Sequence, residues 1–593
     1  MVRRVPSGTS CRHCAAVSGV DVTTSFARTL VDEWVRNGIT AAVVSPGSRN
    51  TPLTLALVRD GRMRVDVVLD ERSAGFRGLG IGLASGRPAI VCCTSGTAAV
   101  NLHPAVVEAH HARVPLLVCT ADRPAELRDW GAGQTIDQAH LFGGAVRWFH
   151  DPGAPEVAGT ASETNGRWRA LAARAVAEAQ GPPAGPVHLN LPFREPLVPT
   201  GSPLLDAPGR APGGPWIRST APRVDPDPSE VDRLTTLVRD EPNGALVAGW
   251  GAGVSASVAQ AFARAAGWPV IADPLSQLRT GSHAISTYEG LLRVESFAGA
   301  HRPELVVRIG APVTSKIANA AFDGVPTVLV DPDAAWLDPQ HTASERVRAD
   351  GNALLAAVTA GLGATRGSAA WADEWIDAEQ RARRALDTVL DESVACEGRI
   401  ARDVSASISD GGALVVASSL PVRALEWSMA PRAGVSVLAN RGANGIDGFV
   451  STALGIAGAH DGPVVALCGD LCFLHDTNGL LDGGVLGGGR HDGSGRVPAT
   501  FVVVDNSGGG IFAYLPQHDL AEFEPLFATP QSVDLVAVAR AHGVRAERVD
   551  CAALGGLLRE EPDATRVLVV PVDRVTAQRQ HARAWEAVAT AVA

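Results

Sequence analysis

Oxygen-bearing side chains follow two apolar runs near the C-terminal end of this 593-residue sequence. The run VVALC leads into Gly469 and Asp470, and the run TFVVVD leads into Asn506 and Ser507, followed by three glycines. Both runs predict buried strands, and open α/β sheets bind ligands at the carboxyl ends of their strands. Oxygen ligands at two such ends suit Mg²⁺, which can neutralise a bound diphosphate. This spacing therefore predicts a magnesium and diphosphate site.

Charged residues also follow predicted strands in the first third of the chain. Glu71 comes directly after the run RVDVVLD, and Ser48 and Arg49 lie in a loop that opens a helix. A carboxylate at a strand end can be held against a heterocycle, and a guanidinium beside a helix N-terminus can bind an anion. The alternative for each is an exposed ion pair, such as Glu71 with Arg72.

Two glycine patterns allow a functional and a structural interpretation. The Gly-x-Gly-x-Gly pattern at 249–253 follows a predicted strand, where a dinucleotide fingerprint would lie, but it lacks the final glycine spacing and a ribose-binding acid. A tight strand-to-helix turn is therefore favoured there. The similar pattern at 78–82 lies inside a predicted helix, where missing side chains would let another element pack closely.

Strand-like apolar runs alternate with helix-like segments along the whole chain. The runs are TAAVVS, RVDVVLD, AIVCCTS, PLLVCTA, GALVAG, PVIADP, LVVRIG, TVLVDP, ALVVASS, SVLANRG, VVALCGD, TFVVVDN and VLVVPV. Alternation of this kind predicts parallel sheets covered by helices on both faces. The fold class is therefore α/β, with doubly wound parallel-sheet domains.

Two segments separate these runs into three groups. Residues 181–215 are dense in proline and glycine, and residues 371–390 form a charged helical stretch that is typical of an exit linker. The glycine-rich stretch 480–498 is expected to be a mobile surface insertion. The predicted organisation is a disordered extension over 1–22 and three domains over 23–200, 215–365 and 395–593.

Composition limits the class of protein. A net charge of −11, 46% hydrophobic and 19% charged residues allow sizeable cores and exclude wholesale disorder. The absence of a basic cluster argues against nucleic-acid binding. No apolar run reaches the roughly 18 residues of a membrane span, and no apolar stretch follows the basic start. Nine cysteines are few for this length, so we expect a cytoplasmic protein.

Several longer motifs together resemble one enzyme family. They are SPGSRNTPL at 45–53, DERSAGFRGLGIGLA at 70–84, TSGTAAVNLHPAVVEA at 94–109, TADRPAEL at 120–127, NRGANGIDG at 440–448, GDLCFLHDTN at 469–478 and DNSGGGIF at 505–512. Their order and content resemble the 2-succinyl-5-enolpyruvyl-6-hydroxy-3-cyclohexene-1-carboxylate synthase family, MenD, of thiamine-diphosphate-dependent enzymes. The resemblance extends from about Thr23 to the C-terminus and is weakest in the central domain.

The resemblance implies the thiamine-diphosphate-binding fold, with a pyrimidine-binding first domain, a central nucleotide-fold domain and a diphosphate-binding third domain. It implies a transferase that uses thiamine diphosphate and Mg²⁺ or Mn²⁺. In that family, decarboxylation of 2-oxoglutarate gives a carbanion that adds to isochorismate by 1,4-addition, a step of menaquinone biosynthesis. It also implies a homodimer or homotetramer whose active sites lie between the first domain of one chain and the third domain of another.

The resemblance also implies roles for single residues. Glu71 matches the catalytic glutamate that hydrogen-bonds the aminopyrimidine of the cofactor. Metal ligands would be Asp470, Ser507 and the backbone oxygen of Gly509. The other matched positions are Ser419, Ile446, Gly469 and Leu471 for the cofactor, and Ser48, Arg49, Arg123, Gln134, Arg423 and Arg441 for the substrates.

Two positions depart from the family pattern. Ser507 stands where the fold usually carries Asn or Asp, so either Asn506 takes over, or a water intervenes, or the metal affinity is reduced. Gly133 stands where the family commonly has Asn before Gln134. Three other functions stay open: an acetolactate-synthase-like carboligase, a flavin- or nicotinamide-dependent oxidoreductase using the turn at 249–253, and a non-catalytic paralogue.

Overall fold

The computed structural model of the chain describes residues 19–205, 209–210, 213–333, 335–363, 369–486 and 497–593. It contains three sheets built from parallel strands with helices packed around them, which confirms the predicted fold class. Residues 1–18, most of the expected N-terminal extension, lie outside the described residues. The first described helix begins at Val22 and is capped by the Asp21 side chain.

The first domain carries a parallel sheet in which strands and helices alternate along the chain. Its elements are α1 (Val22–Arg36), β1 (Ala41–Val44), α2 (Thr51–Asp60), β2 (Arg64–Val68), α3 (Glu71–Ser85), β3 (Ala89–Cys93), α4 (Thr97–Asn101), α5 (His103–Ala112), β4 (Leu116–Asp122), β5 (Trp148–His150), α6 (Ala161–Gln180) and β6 (Pro186–Pro192). The six strands lie in the order β2-β1-β3-β4-β6-β5. The central four strands are buried along their whole length, as expected for a sheet covered on both faces.

The central domain repeats this design with a six-stranded parallel sheet in the order β12-β11-β10-β7-β8-β9. Its elements are α7 (Pro228–Asp240), β7 (Gly244–Ala248), α8 (Ala256–Ala266), β8 (Val270–Ala272), β9 (Ala284–Ile285), α9 (Tyr288–Leu292), α10 (Glu295–Ala300), β10 (Leu305–Ile309), α11 (Lys316–Ala321), β11 (Thr327–Val330), β12 (Ala343–Val347), α12 (Gly351–Leu362) and α13 (Ala369–Glu392). The glycines at 249–253 form a tight turn between β7 and α8. A β-carbon at Gly249 would overlap the Ala311 carbonyl oxygen, and Gly251 and Gly253 have positive φ.

The third domain has another six-stranded parallel sheet, in the order β14-β13-β15-β17-β19-β18. Its elements are α14 (Glu397–Ser407), β13 (Gly412–Val416), α15 (Leu420–Ser428), β14 (Val435–Leu438), α16 (Phe449–Ala459), β15 (Val464–Gly469), α17 (Asp470–His475), β16 (Asp482–Leu486), β17 (Thr500–Asp505), α18 (Leu535–Ala541), β18 (Arg545–Arg548), α19 (Cys551–Leu558), β19 (Arg566–Pro571) and α20 (Arg574–Val592). Helix α13, the charged exit stretch, packs along α20, and its Trp375 is fully buried. One apolar core therefore runs from the central into the third domain.

Strand β16 does not belong to the sheet of its own domain. It pairs antiparallel with β2 and so becomes the seventh strand of the first sheet. The expectation of a mobile insertion over 480–498 is wrong for this part, and residues 487–496 lie outside the described residues. The reason is proximity: Asn478 donates a hydrogen bond of 2.8 Å to Asp70, which brings the following residues to the open edge at β2.

Helices α3 and α16 cross in close contact and join the first domain to the third. A β-carbon at Gly80 would overlap the Thr452 carbonyl oxygen, and one at Gly455 would overlap the Arg77 carbonyl oxygen. The glycine pattern at 78–82 thus serves close helix packing, as predicted. The approach of two helix backbones depends on both helices lacking side chains at the crossing point.

A buried charge cluster lies beside this crossing. Asp66 accepts hydrogen bonds from Arg64 at 2.6 Å and from Arg77 at 2.8 Å, and Arg64 also donates to the Gly458 carbonyl oxygen at 2.6 Å. Burial raises the pKa of Asp66, but the two guanidinium groups outweigh it and hold the pKa below its usual value. The carboxylate therefore stays ionised and paired, which makes its burial tolerable.

Gly80→Ala is expected to lower the free energy of unfolding by about 2 kcal/mol, because the new methyl group overlaps backbone of α16. Denaturant unfolding measures the change. Gly556→Ala is the matched control, since a β-carbon added to this exposed helical glycine would have no heavy atom within 4 Å. The free energy of unfolding of the control should rise by about 0.5–1 kcal/mol, because alanine has a higher helix propensity than glycine. Equal tolerance of both substitutions would contradict the close crossing.

Candidate functional site

The first group of candidate residues lies at the carboxyl edge of the first sheet. Ser48 and Arg49 follow β1, Glu71 follows β2, and Arg123 follows β4. Gln134 reaches the same edge from a loop in which its backbone has a φ of 58°. Because parallel strands end on one side, the sheet brings residues that are far apart in sequence to one surface.

Hydrogen bonds hold Arg123 and Gln134 together through Ser95. Arg123 donates to the Gln134 carbonyl oxygen at 3.1 Å and to the Ser95 hydroxyl, and the Gln134 amide donates to the Ser95 carbonyl oxygen at 3.0 Å. Arg49 donates to the Phe193 carbonyl oxygen at 2.9 Å. Burial and the nearby Arg49 lower the pKa of Arg123. Two guanidinium groups side by side form a surface suited to carboxylates.

Ser95 anchors both Arg123 and Gln134, yet no role for it was predicted from the sequence. It lies in the motif TSGT, directly after β3. Its place at a strand end between two assigned strand ends is the signal that would have found it.

Glu71 occupies the first turn of α3. Asp70 caps this helix by accepting hydrogen bonds from the backbone of Arg72 at 2.9 Å and of Ser73 at 3.4 Å. Among the described residues, the half-buried Glu71 carboxylate makes no hydrogen bond or ion pair. Arg72 instead donates to the His475 carbonyl oxygen at 3.0 Å, so the alternative Glu71–Arg72 ion pair is absent from this part of the chain. The Glu71 carboxylate is available to a ligand.

The second group lies at the carboxyl edge of the third sheet. Ser419 follows β13 with a φ of 74°, and its carbonyl oxygen accepts a hydrogen bond of 2.6 Å from Arg423. Arg441 follows β14. Burial lowers the pKa of Arg423, and the charge of Arg441 lowers it further, so the two guanidinium groups are neighbours. Ile446 follows in the same loop, and its carbonyl oxygen accepts from the Cys472 thiol at 3.4 Å.

Asp470 stands at the end of β15 and is buried. Its oxygens accept hydrogen bonds from the backbone of Leu471 at 2.7 Å and of Gly508 at 2.6 Å. Burial raises the pKa of Asp470 to about 6 despite these donors. A carboxylate held in this way gains from a nearby cation, and Gly469 leaves open space beside it.

The two candidates for the side-chain metal ligand after β17 differ in access. Asn506 is buried, its amide nitrogen donates to Glu397 at 2.9 Å, and its oxygen is buried without a hydrogen-bond partner among the described residues. Ser507 is exposed, with a φ of 59°. The exposed hydroxyl can be reached by an ion, whereas the Asn506 oxygen cannot without a rearrangement of the loop. The geometry therefore favours Ser507 over Asn506.

The oxygen donors at this edge fit Mg²⁺ bound together with a diphosphate. They are one carboxylate from Asp470, a hydroxyl from Ser507 and the backbone oxygen of Gly509. Across the described residues, no cluster of three or more His, Cys, Asp and Glu side chains could hold a metal alone. Mg²⁺ typically binds through one or two carboxylates and completes its coordination with phosphate oxygens and water.

A cavity of about 560 Å³ lies between the central and third domains and contains Arg423. Lys316, the only lysine of the chain, lines the same cavity together with Glu289, Arg293 and Glu426. No role for Lys316 was predicted from the sequence, because it belongs to the central domain, where the family motifs are weakest. The sequence feature that could have pointed to Lys316 is that it is the only lysine among many arginines.

Glu426 is a buried acid in the wall of this cavity. Tyr288, Glu289 and Asp273 lie near its carboxylate. Burial, helped by the charges of Glu289 and Asp273, raises the pKa of Glu426 well above its ordinary value of 4.5. The folded protein therefore holds a proton on Glu426 more tightly than the unfolded chain does.

Glu426→Gln is expected to make stability less dependent on pH. The contribution of Glu426 is fully present below its unfolded pKa and is lost as the pH rises through the raised folded value, by up to about 1.4 kcal/mol per pH unit. In denaturant unfolding, the free energy of unfolding of the variant should therefore rise relative to that of the wild type as the pH increases above the ordinary glutamate value of 4.5. Glu178→Gln, which removes a surface acid paired with Arg174 at 3.1 Å in helix α6, is the control and should keep the wild-type slope. Parallel slopes for wild type and Glu426→Gln would contradict this account.

No direct contact joins the two groups in the described ranges of one chain: no hydrogen bond or ion pair links Glu71, Arg49 or Arg123 to Asp470 or Arg441. The beginning of α3 contacts the end of α17 at His475 and the nearby Asn478, through the hydrogen bonds of Arg72 and Asp70 described above. Also in these ranges, no helix is both long enough and apolar enough to cross a membrane.

Known proteins resemble this chain along nearly its whole length. Residues 24–141 match the family model for the N-terminal TPP binding domain of thiamine pyrophosphate enzymes, and residues 214–416 match the model for the middle domain of thiamine pyrophosphate. A benzoylformate decarboxylase from Polynucleobacter necessarius has a similar structure, with a TM-score of 0.68 at 18% identity over 93% of this chain and 99% of that one. This likeness shows the fold.

Closer relatives share one name, 2-succinyl-5-enolpyruvyl-6-hydroxy-3-cyclohexene-1-carboxylate synthase. The protein from Myxococcus xanthus (strain DK1622) is 42% identical, over 97% of this chain and 99% of the relative. The protein from Thermobifida fusca (strain YX) is 43% identical, over 96% and 99%. With this identity over nearly its full length and the domains of a thiamine pyrophosphate enzyme, the chain belongs to the 2-succinyl-5-enolpyruvyl-6-hydroxy-3-cyclohexene-1-carboxylate synthase family.

Proposed function

We propose that this protein decarboxylates 2-oxoglutarate and adds the remaining four-carbon unit to isochorismate, releasing CO₂ and 2-succinyl-5-enolpyruvyl-6-hydroxy-3-cyclohexene-1-carboxylate for menaquinone biosynthesis. The names of its relatives support this transferase activity. The observation in the structure that carries it is the pairing of guanidinium groups at two sheet edges, Arg49 with Arg123 and Arg423 with Arg441. Substrates with several carboxylates need such fixed positive charge.

Thiamine diphosphate, when bound, supplies the nucleophilic carbon and accepts the electrons released by decarboxylation. Glu71 would hydrogen-bond its aminopyrimidine, since the Glu71 carboxylate has no competing partner among the described residues. The apolar side chain of Ile446 would support the bent cofactor. Ser419, Gly469 and Leu471 lie at the strand ends that would face the diphosphate.

Asp470, Ser507 and the backbone oxygen of Gly509 would hold Mg²⁺ or Mn²⁺. Serine provides a neutral and weaker oxygen than the Asn or Asp expected there, so this site would bind metal less tightly than one with a second carboxylate. The buried Asn506 would support the loop through Glu397 rather than bind the ion.

The arginines would orient the substrates rather than change their bonds. The first domain would contribute Ser48, Arg49, Arg123 and Gln134. The third domain would contribute Arg423 and Arg441, and the central domain Lys316. Fixed charges lower the entropic and electrostatic cost of bringing two anionic substrates together. This excess of positive charge argues against an acetolactate-synthase-like enzyme with small monocarboxylate substrates. A non-catalytic paralogue would not need both Glu71 and Asp470.

We also propose that two chains form each active site, in a homodimer or homotetramer. Within the described part of one chain, Glu71 and Asp470 share no direct contact, as expected if each faces a different chain. Exposed apolar side chains near the carboxyl edge of the first sheet, Leu69 at 63% and Trp130 at 82% exposure, would be covered by the second copy. A cytoplasmic location is supported by the seven described cysteines, which are buried and unpaired.

Glu71→Gln is expected to lower kcat by at least about 100-fold while thiamine diphosphate still binds, because the amide cannot take the charge-assisted hydrogen bond. The assay follows isochorismate loss with thiamine diphosphate, Mg²⁺ and 2-oxoglutarate, and turnover should need every component. Glu178→Gln, which removes an exposed acid paired with Arg174 at 3.1 Å, is the control and should leave activity unchanged. If the wild type binds the cofactor but leaves isochorismate unconsumed, the proposed substrate is wrong.

Ser507→Asp is expected to tighten Mn²⁺ binding by about tenfold, because a second carboxylate replaces a neutral oxygen. Electron paramagnetic resonance of free Mn²⁺ in the presence of thiamine diphosphate measures the affinity. Ser507→Ala should weaken binding severalfold. If both Ser507 variants bind Mn²⁺ like the wild type and Asn506→Ala loses affinity, Asn506 is the ligand instead.

A further inference from the structure

Glu108 belongs to helix α5 of the first domain, but both of its carboxylate oxygens bind the third domain. They accept hydrogen bonds of 2.6 Å from the backbone nitrogens of Gly442 and Ala443. The side chain is only 3% exposed. A buried carboxylate with two backbone donors is a strong and directional contact, because leaving either group unpaired would be costly.

The loop and the helix also fit each other in shape. A β-carbon at Gly442 would lie 2.5 Å from the Glu108 carbonyl oxygen and 2.6 Å from the Ala112 backbone nitrogen. The loop backbone therefore lies directly on α5, and only glycine allows this approach. The side chain and the backbone of the helix therefore both contact Gly442, and the side chain also holds Ala443.

The residues held in this way belong to the loop that carries two site residues. Arg441 directly precedes Gly442, and Ile446 follows three residues after Ala443. Between them, Asn444 adopts a φ of 62°, in the left-handed region that Asn enters more readily than most residues. The loop turns at this residue, and Glu108 supplies two hydrogen bonds to the residues just before the turn.

The negative charge of Glu108 also acts on the Arg441 guanidinium. Burial lowers the pKa of the Arg441 guanidinium, and nearby acids, Glu108 among them, partly offset that effect. Glutamine could not replace Glu108, because its amide offers one acceptor oxygen to two donors and turns an NH₂ group toward the other. The contact needs a carboxylate at this position.

We propose that Glu108 is a positioning residue that holds the loop from Arg441 to Ile446 of its own chain in the shape that binds substrate and cofactor. This inference rests on the proposed function and on active sites shared between chains. As a consequence, two residues of the same first domain act on different active sites. Glu71 serves the partner's site, whereas Glu108 serves the site built on its own third domain.

The first test uses the homodimer. Glu108→Gln should raise the KM for isochorismate and the Kd for thiamine diphosphate by about tenfold, with a smaller change in kcat at saturation. Glu178→Gln is again the control. Unchanged KM and Kd would overturn the proposal. If Glu108→Gln does not fold, Glu108→Asp, which keeps the charge but shortens the reach, is measured for the same constants.

The decisive test uses heterodimers purified with two different tags. With Glu71→Gln on one chain and Glu108→Gln on the other, both defects fall in one site, and about half of the wild-type activity should remain at low substrate. With both substitutions on one chain, each site carries one defect, and activity should fall to about half that of the Glu108→Gln homodimer or below. The reverse ranking, or equal activity in the two heterodimers, would overturn the proposal.

A third heterodimer separates this inference from the proposed assembly. Glu71→Gln on one chain and Asp470→Asn on the other should leave about half of the activity if sites are shared. No activity in this heterodimer would mean that Glu71 and Asp470 act within one chain, and shared sites would be wrong. Half activity here with the reverse ranking above would leave the proposed function standing and remove the role of Glu108.

Discussion

The close crossing of α3 and α16 is the constraint on which the arrangement of the site depends. Two helix backbones meet there because Gly80 and Gly455 carry no side chains, and larger residues would push the first and third domains apart. The crossing determines where the beginning of α3 lies. Glu71 is therefore oriented by a packing contact between domains rather than by a ligand.

Other contacts between the same domains follow from this crossing. Asp70 binds Asn478, Arg72 binds the His475 carbonyl oxygen, and β16 extends the first sheet at β2. Glu108 of the first domain also holds the loop after β14. Each of these contacts would be lost if the helices separated. The first domain is thus attached to the third at several points, all of which leave the carboxylate of Glu71 free.

The site also needs negative charge to offset its arginines. The proposed substrate arginines are concentrated at two edges, and several acids lie among them. Glu289 borders the cavity that contains Arg423, and Asp273 and Glu108 lie near Arg441. Such acids lower the cost of keeping positive charge in a buried cleft before substrate arrives. The cleft is therefore attractive to carboxylates without being strongly charged when empty.

Much of this structure was predictable from sequence, because buried parallel strands are continuous apolar runs and functional side chains follow them directly. Glu71 and Asp470 are examples. Strand β16 was not predictable, since DGGVL has little strand character and its partner β2 lies in another domain. The partner of Glu108 is equally distant in sequence. Whether Ser507 or Asn506 faces the metal depended on burial, which local sequence does not determine.

In the proposed assembly, the first domain of one chain completes the site on the third domain of another. A structure of the enzyme with thiamine diphosphate and Mg²⁺ bound would distinguish this assembly from a site formed within one chain. We expect the Glu71 that contacts the cofactor's pyrimidine to come from a different chain than the Asp470 that faces the metal, with the α3–α16 crossing intact in each chain. A cofactor held by Glu71 and Asp470 of the same chain would contradict the account.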